Sequence, residues 1–413
     1  MPASIPLRLI SPDEARRILD DVPPVGVETV SLRAAGGRVL AVPLTAPENL
    51  PTHPRSVMDG YAVRATDVAG ASEASPAVLR VAGSVPMGGV FAGTVAAGEA
   101  VAISTGGFVP AGADAVVMIE VTSPAGASPA AVAIRRPVSA GANIIQPGED
   151  LRAGAALATR GRRLRPADLA ALATFGFVDV SVYRRPRIAV LSTGNELCEP
   201  NQTPTLGQVR DVNQAVLAAQ TEAAGCAVTY GGIIRDDAVA LRKAVAELLA
   251  THDGLILSGG SSVGVKDVSS EALAGLAAPG VLFHGIDIRP GKPTLFARSG
   301  AKPVIGMPGF PTSSMIVFDA FIRPMLWRLG GEIGRDPWPS RRRARLASAY
   351  AKAVGREDYL RVRVVTRGGE DWAEPLAGGS AAISNVVQAD GLVRVDAACP
   401  RIGEGDSVEV FLY

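Results

Sequence analysis

Carboxylates, cations and a run of glycines and hydroxyls stand at the ends of four short apolar segments. Ser192-Thr193-Gly194-Asn195-Glu196 follows the first segment, Arg235-Asp236-Asp237 the second and Ser-Gly-Gly-Ser-Ser-Val-Gly-Val-Lys-Asp (258–267) the third; Arg289-Pro290-Gly291-Lys292-Pro293 comes further on. Glu196, Asp236 and Asp267 are hard oxygen donors of the kind Mg²⁺ takes, while Lys266, Arg289 and Lys292 suit phosphate oxygens. Gly259, Gly260 and Gly264, with Ser261 and Ser262, let several backbone N–H groups converge on an anion. The mixture fits a phosphate-bearing ligand held with a divalent ion. Plainer readings compete: Asp236 and Asp237 serve equally as caps for a helix beginning at Ala238, and a Gly-Gly-Ser loop alone is an ordinary turn. The joint occurrence at successive loop ends favours chemistry. No G-x-x-x-x-G-K-[ST] motif appears and no G-x-G-x-x-G opens the first strand–helix unit, which argues against both common nucleotide-binding routes.

The elements that must position these residues alternate in type. Strands are expected at 188–191, 227–234 and 255–257, and helices at 212–224, 238–250 and 269–276, an order that means a parallel sheet with right-handed crossovers. Further strands at 281–288, 294–297 and 304–305 and a long helix over 312–329, with Thr312 as its cap, complete the α/β domain. In such a sheet ligands bind outside the carboxyl ends of the strands, where the four loops meet.

Before this domain, Ser11-Pro12-Asp13-Glu14 is a helix start with a Ser cap, Pro at the first position and Glu three residues on. A strand is expected at 27–32, and an extended stretch broken by Pro43, Pro47, Pro51 and Pro54 cannot be a central strand. The Val-rich runs over 78–138 indicate an all-β insert, and a helix over 166–175 stops at Gly176. After Gly330-Gly331, strands at 360–365, 372–375, 392–395 and 408–412 form a second β-domain with no helix evident. The fold class is therefore multidomain α/β plus all-β. It comprises a discontinuous N-terminal domain (1–46 and 140–183), a β-rich insert (47–139), a three-layer α/β domain (184–331) and a C-terminal barrel-like β-domain (332–413).

Composition narrows the function. The chain has 413 residues, and 41 Lys plus Arg face 40 Asp plus Glu, so no global field draws it to nucleic acid or an anionic membrane. Cys198, Cys226 and Cys399 are isolated thiols and His53, His252 and His284 are the only histidines, none at a zinc-ligand spacing. No signal peptide and no apolar run of about 18 residues is present, so a soluble, cytoplasmic protein is expected.

With these residues in place, the chain resembles the MoeA family of molybdopterin molybdenumtransferases, relatives of the C-terminal region of gephyrin. The resemblance is carried by residues 56–63 (Ser-Val-Met-Asp-Gly-Tyr-Ala-Val), Ser104-Thr105-Gly106, 192–197, 259–267, 290–293, Pro308-Gly309-Phe310-Pro311 and Gly355-Arg356-Glu357-Asp358-Tyr359. It implies a four-domain homodimer that inserts molybdate into adenylated molybdopterin with Mg²⁺ and releases AMP. The site would lie in a cleft between the α/β domain of one subunit and the β-insert of the other. Asp59, Glu196, Asp236 and Asp267 match the family's functional acids, with Asp150 in Gly-Glu-Asp; Glu196, Asp236 and Asp267 would be the metal ligands. Thr105, Lys292, Arg289, Pro308, Pro311, Arg356 and Ser380 or Ser384 match other site positions. Molybdopterin adenylyltransferase and molybdoenzyme maturation proteins are the partners to expect. Asn195, Phe310, Arg289 and Ile145-Gln146-Pro147 depart from common family residues and bear on oxyanion choice, molybdate or tungstate. A scaffold or molybdopterin carrier of the same fold is the rival reading.

Overall fold

The structure, a computed structural model, describes residues 6–125, 130–259, 268–379 and 381–413. These residues form two compact units, each discontinuous in sequence: Pro43–Thr159 with Ala167–Val178, and Met1–Val42 with Arg160–Pro166 and Asp179–Tyr413.

The first unit is built on a six-stranded sheet in which Gly60–Val63 lies between Ala115–Met118 and Glu99–Ile103, followed by Ala77–Ser84, Ala131–Ile134 and Thr122–Pro124. Alternation puts Val63, Leu79, Ala100, Val117, Val132 and Ile134 into one shared core. The proline-rich stretch contributes only the two-residue strands Leu44–Thr45 and Arg55–Ser56 to peripheral pairs, as a chain short of N–H donors must.

In the second unit, helix Pro12–Asp20 begins as its sequence requires: Ser11 Oγ accepts from the Glu14 N–H at 3.2 Å, with Pro12 at the first position. The α/β sheet follows. Its elements are β1 (Arg187–Thr193), α1 (Asn213–Ala223), β2 (Ala227–Ile234), α2 (Ala238–Thr251), β3 (Gly254–Ser258), α3 (Val268–Leu273), β4 (Pro279–His284), the two-residue β5 (Ile288–Arg289), β6 (Leu295–Ser299) and β7 (Lys302–Met307). The strand order is β2-β1-β3-β7-β6-β4. β2, β1, β3 and β7 are parallel, while β6 runs antiparallel to both its neighbours, β7 and β4, because the short hairpin that joins β6 to β7 cannot connect parallel strands.

Period-two alternation makes the three layers. Ile188, Val190, Ile256, Ile305 and Met307 face a core shared with α1 and residues 316–329, whereas Ala189, Leu191, Leu255, Leu257 and Val304 face α2 and α3. Each fully buried Leu or Ile here contributes roughly 2–3 kcal/mol of transfer free energy, which ties both helical layers to the sheet. The long helix expected at 312–329 is instead Pro311–Val317, a π-turn Phe318–Ile322 and Arg323–Leu329. Pro324 cannot donate a helical hydrogen bond, and the wider turn just before it accommodates the missing donor. Thr312 is not the cap; Phe310 holds that position and makes no side-chain bond there.

The C-terminal strands β8 (Arg341–Leu346), β9 (Glu357–Arg367), β10 (Glu370–Pro375), β11 (Gly391–Val395) and β12 (Ser407–Leu412) close into a five-stranded barrel in the order β9-β10-β8-β12-β11, with β11 returning to β9. β5 adds to β9 in parallel, Ile288 opposite Glu357 and Arg289 opposite Asp358. One expectation fails here: a helical turn, Ser384–Val387, interrupts the β-domain. It is too short to leave a periodic signal in the sequence. Among the described residues no helix is long and apolar enough to cross a membrane.

Candidate functional site

The register of the parallel strands fixes where the loops open. Ser192 stands opposite Ser258, Thr193 opposite Ile234 and Ser258 opposite Met307, so the chain segments beginning at Gly194, Arg235, Gly259 and Pro308 leave one end of the sheet together. Asp237 caps α2, accepting from the Val239 and Ala240 N–H groups at 2.8 and 3.1 Å. That assignment releases Asp236, whose carboxylate instead faces the first loop, accepting from Asn195 N at 3.3 Å and lying 3.5 Å from Thr193 Oγ1. Arg235 fixes the same loop from behind by donating to the Asn195 carbonyl at 2.5 Å. Glu196 folds its carboxylate back over Gly194, so that a Cβ on Gly194 would collide with it. Glu196 and Asp236 are both exposed to solvent.

Gly259 must be glycine: its φ is +91°, and a Cβ would run into the Thr193 carbonyl oxygen. The backbone therefore passes directly beside the first loop, and Ser269 Oγ holds the Gly259 carbonyl at 3.0 Å. Gly260, Ser261, Ser262, Gly264, Lys266 and Asp267, the heart of the expected anion seat, lie outside the described residues, as does Ser380. Among the described residues no group of three or more His, Cys, Asp or Glu is placed to hold a metal. The described part of the expected metal set is the pair Glu196 and Asp236.

The loop after β5 is fixed by packing. Gly291 has φ +108° and a Cβ there would overlap Val317, while Thr294 Oγ1 donates to its carbonyl at 2.7 Å. Arg289 and Lys292, flanking it, are exposed and make no side-chain ion pair among the described residues. Pro308 and Pro311 bracket a loop whose Gly309 carbonyl accepts from Asn213 Nδ2 at 2.7 Å and whose Pro308 carbonyl accepts from Ser314 Oγ. Phe310 in its centre is 56% exposed, a large aromatic left on the surface where packing alone would bury it.

Arg356 belongs to a second basic group near Arg289. Asp358, fully buried, accepts from Arg356 Nε at 2.7 Å and Nη2 at 3.2 Å, and from the Tyr350 hydroxyl at 2.6 Å. Burial and the adjacent carboxylate push the Tyr350 phenol up to about 12, against the opposing pull of Arg289 and Arg356. Neither Tyr350 nor Asp358 was singled out in the sequence as a site residue. Asp358 stood only as part of the motif Gly355 to Tyr359, and its burial is what reveals the contact.

In the other unit, Asp59 and Thr105 meet. Asp59 Oδ1 accepts from the Thr105 N–H at 2.7 Å and its hydroxyl at 3.1 Å, leaving the second carboxylate oxygen unbonded among the described residues. The turn preceding Asp59 is closed by Ser56, whose Oγ donates to the Met58 carbonyl at 2.5 Å. Asp150 lies in a separate turn of this unit, its N–H bonded to the Leu50 carbonyl at 3.1 Å.

A doubly covered α/β sheet with acidic and basic loops at its carboxyl end, joined to a closed barrel, is the build of a multidomain ligand-binding α/β protein, and the comparisons supply its class. A probable molybdopterin binding domain is matched over residues 189–328, flanked by the MoeA N-terminal region (domain I and II) over 10–176 and the MoeA C-terminal region (domain IV) over 343–413. A molybdopterin molybdenumtransferase of Synechococcus elongatus is 34% identical over 393 residues, 94% of either chain. Molybdopterin molybdenumtransferase 2 of Mycobacterium tuberculosis is 35% identical over 337 residues, 81% of this chain and 82% of that one. A crystal structure of the molybdopterin biosynthesis MoeA protein from Pyrococcus horikoshii, 32% identical, superposes with a TM-score of 0.82 over 98% of this chain and 99% of that one. The chain belongs to the MoeA family of molybdopterin molybdenumtransferases.

Proposed function

We propose that the protein is a transferase of molybdenum cofactor biosynthesis that inserts molybdenum into molybdopterin, taking molybdate and adenylated molybdopterin and releasing AMP. The observation that carries this reading is the pair of exposed carboxylates, Glu196 and Asp236, at adjacent strand ends beside the close backbone pass of Gly259, in a chain matched to the family from its N-terminal to its C-terminal region. Their all-oxygen chemistry fits Mg²⁺: Glu196 and Asp236 would hold it with Asp267, and Thr193 Oγ1 and the Asn195 side chain would order its surroundings. When bound, the ion supplies charge neutralisation to phosphate oxygens.

The chain's own groups do the rest. The glycine-led backbone from Gly259 receives the phosphates, Arg289 and Arg356 bind anionic oxygens, and Lys292 offsets the charge gathering on departing AMP. No protein nucleophile is needed, because an oxygen of molybdate can attack the molybdopterin phosphorus of the adenylate, breaking the P–O bond to the bridging oxygen so that AMP leaves with it. Pro308 and Pro311 shape the loop that the substrate passes. Asp59 and Thr105, with Asp150, match the family's functional positions, and the resemblance implies that they act in the same reaction from a second subunit. A homodimer, a cytoplasmic setting and the four-domain division follow from the family resemblance and belong to this proposal.

The test is direct. Purified protein given adenylated molybdopterin, molybdate and Mg²⁺ should release AMP in proportion to molybdenum incorporated. Silence under conditions in which a characterised family member turns over would overturn the assignment.

A further inference from the structure

A carboxylate as deeply buried as Asp358 is costly unless every oxygen is paired, and here both are. Oδ1 takes Arg356 Nε; Oδ2 takes Arg356 Nη2 and the Tyr350 hydroxyl. The backbone is fixed as well, since Lys352 Nζ donates to the Arg356 carbonyl. These bonds restrain Arg356 at both ends while its side chain stays 30% exposed and its Nη1 has no partner among the described residues. The parallel pairing of β5 with β9 sets Arg289 directly opposite Asp358. Arg356 is thus the cation paired with the Asp358 carboxylate, while Lys352 is bonded to main-chain carbonyls and Arg289, its neighbour across the strands, is exposed.

We propose that Asp358 and Tyr350 are positioning residues: they hold the Arg356 guanidinium in one orientation beside Arg289 so that the two arginines receive a tetrahedral oxyanion of the substrates. The inference rests on the function proposed above. Arg356 has five donors in a fixed fork, and Asp358 uses two of them along one edge, leaving the other edge for the anion. Tyr350 completes the hydrogen bonding of Asp358 and so keeps the carboxylate from rotating. The oxyanion is either molybdate or a phosphate of the adenylate, which share shape and charge.

Tyr350→Phe and Asp358→Asn in the full-length protein separate these possibilities. Tyr350→Phe should raise KM for one of the two substrates several-fold with kcat within about two-fold, and Asp358→Asn should raise it about ten-fold or more, as loss of a charge-assisted restraint predicts. The double variant should lose less than the product of the two, because both act through Arg356. A rise confined to molybdate assigns the oxyanion as molybdate; a rise confined to the adenylate assigns the phosphate. Arg356→Lys should show the same KM rise, since an ammonium cannot be held by two parallel bonds. Unchanged KM values, or kcat falling only in step with the melting temperature, would overturn the proposal. Calorimetry with molybdate alone and with inorganic phosphate alone keeps this separable from the overall function. Should the wild type release no AMP, weaker anion binding in Tyr350→Phe still supports the positioning role, and equal or undetectable binding in wild type and variant sinks it.

Discussion

Asn195 and Asp236 hold each other across the ends of two neighbouring strands. The Asn195 side-chain oxygen accepts from the Asp236 N–H at 3.1 Å, and the Asn195 N–H donates to the Asp236 carboxylate at 3.3 Å. A second acid at position 195 would have set two negative charges side by side. Asparagine instead leaves Asp236 as the single charge of this contact, aimed by its neighbour.

The adjacent aspartates 236 and 237 should therefore separate function from stability. Asp236→Asn is expected to lower kcat/KM about 100-fold, the scale of losing one preorganised charge at a reacting centre, with an unchanged melting curve because the side chain is exposed. Asp237→Ala should do the opposite, costing about 1 kcal/mol of stability through the lost cap of α2 while AMP release stays near wild type. Parallel urea titrations and AMP assays on the two variants decide it.

Gly291→Ala should destabilise by about 3 kcal/mol, combining a left-handed backbone with overpacking against Val317. Adding Val317→Ala should recover the packing part and leave the backbone part. If the double variant is no more stable than Gly291→Ala alone, the clash is not what limits the position.

Asp319 lies buried in the π-turn, bonded to Gln220 Nε2 at 3.1 Å and paired with Arg323 at 3.2 Å. Burial lifts its carboxyl to about 6 despite Arg323. A folded-state value above the unfolded one means that the native state binds the extra proton, so its contribution is complete below about pH 4 and is lost as pH rises through about 6. Relative to Asp319→Asn, the wild type should lose on the order of 2–3 kcal/mol between pH 4 and pH 7. Urea midpoints for both proteins across that window test the sign; a wild type that gains on the variant as pH rises would refute it.

Thiol chemistry should follow burial. Cys226 is buried and its thiol is pushed up to about 12, chiefly by desolvation, and Cys198 is buried too, whereas Cys399 is partly open. Native protein treated with a maleimide at pH 7.5 should label first at Cys399, and Cys226 only on unfolding. Mass spectrometry of the labelled peptides reads this out.

Much of this arrangement was legible in the sequence because it rests on local signals. Runs such as Ile188 to Leu191 and Leu255 to Leu257 read as buried strands, and Ser11-Pro12 or Gly176 punctuate their helices unaided. The loop-end acids and cations stood out because they recur at successive strand ends. What stayed hidden depends on partners distant in the chain or on one residue's packing. The reversed direction of β6, the π-turn before Pro324 and the helical turn at Ser384 have no period of their own. Of the two candidate caps, only coordinates separate Asp237 from Asp236. The roles of Tyr350 and Asp358 stayed hidden because nothing in the sequence places a phenol and an arginine around the same carboxylate.

The two-residue strand β5 has a consequence for dissecting the protein. The barrel closes on itself, so its backbone offers no ready edge to another chain, and β5 is seated on β9 where the α/β domain reaches it. A fragment cut after Gly331 would keep the whole α/β sheet but strip β5 of its neighbour, baring main-chain donors and acceptors next to Arg289. Such a fragment should be prone to self-association, and the α/β part is better studied with the barrel attached.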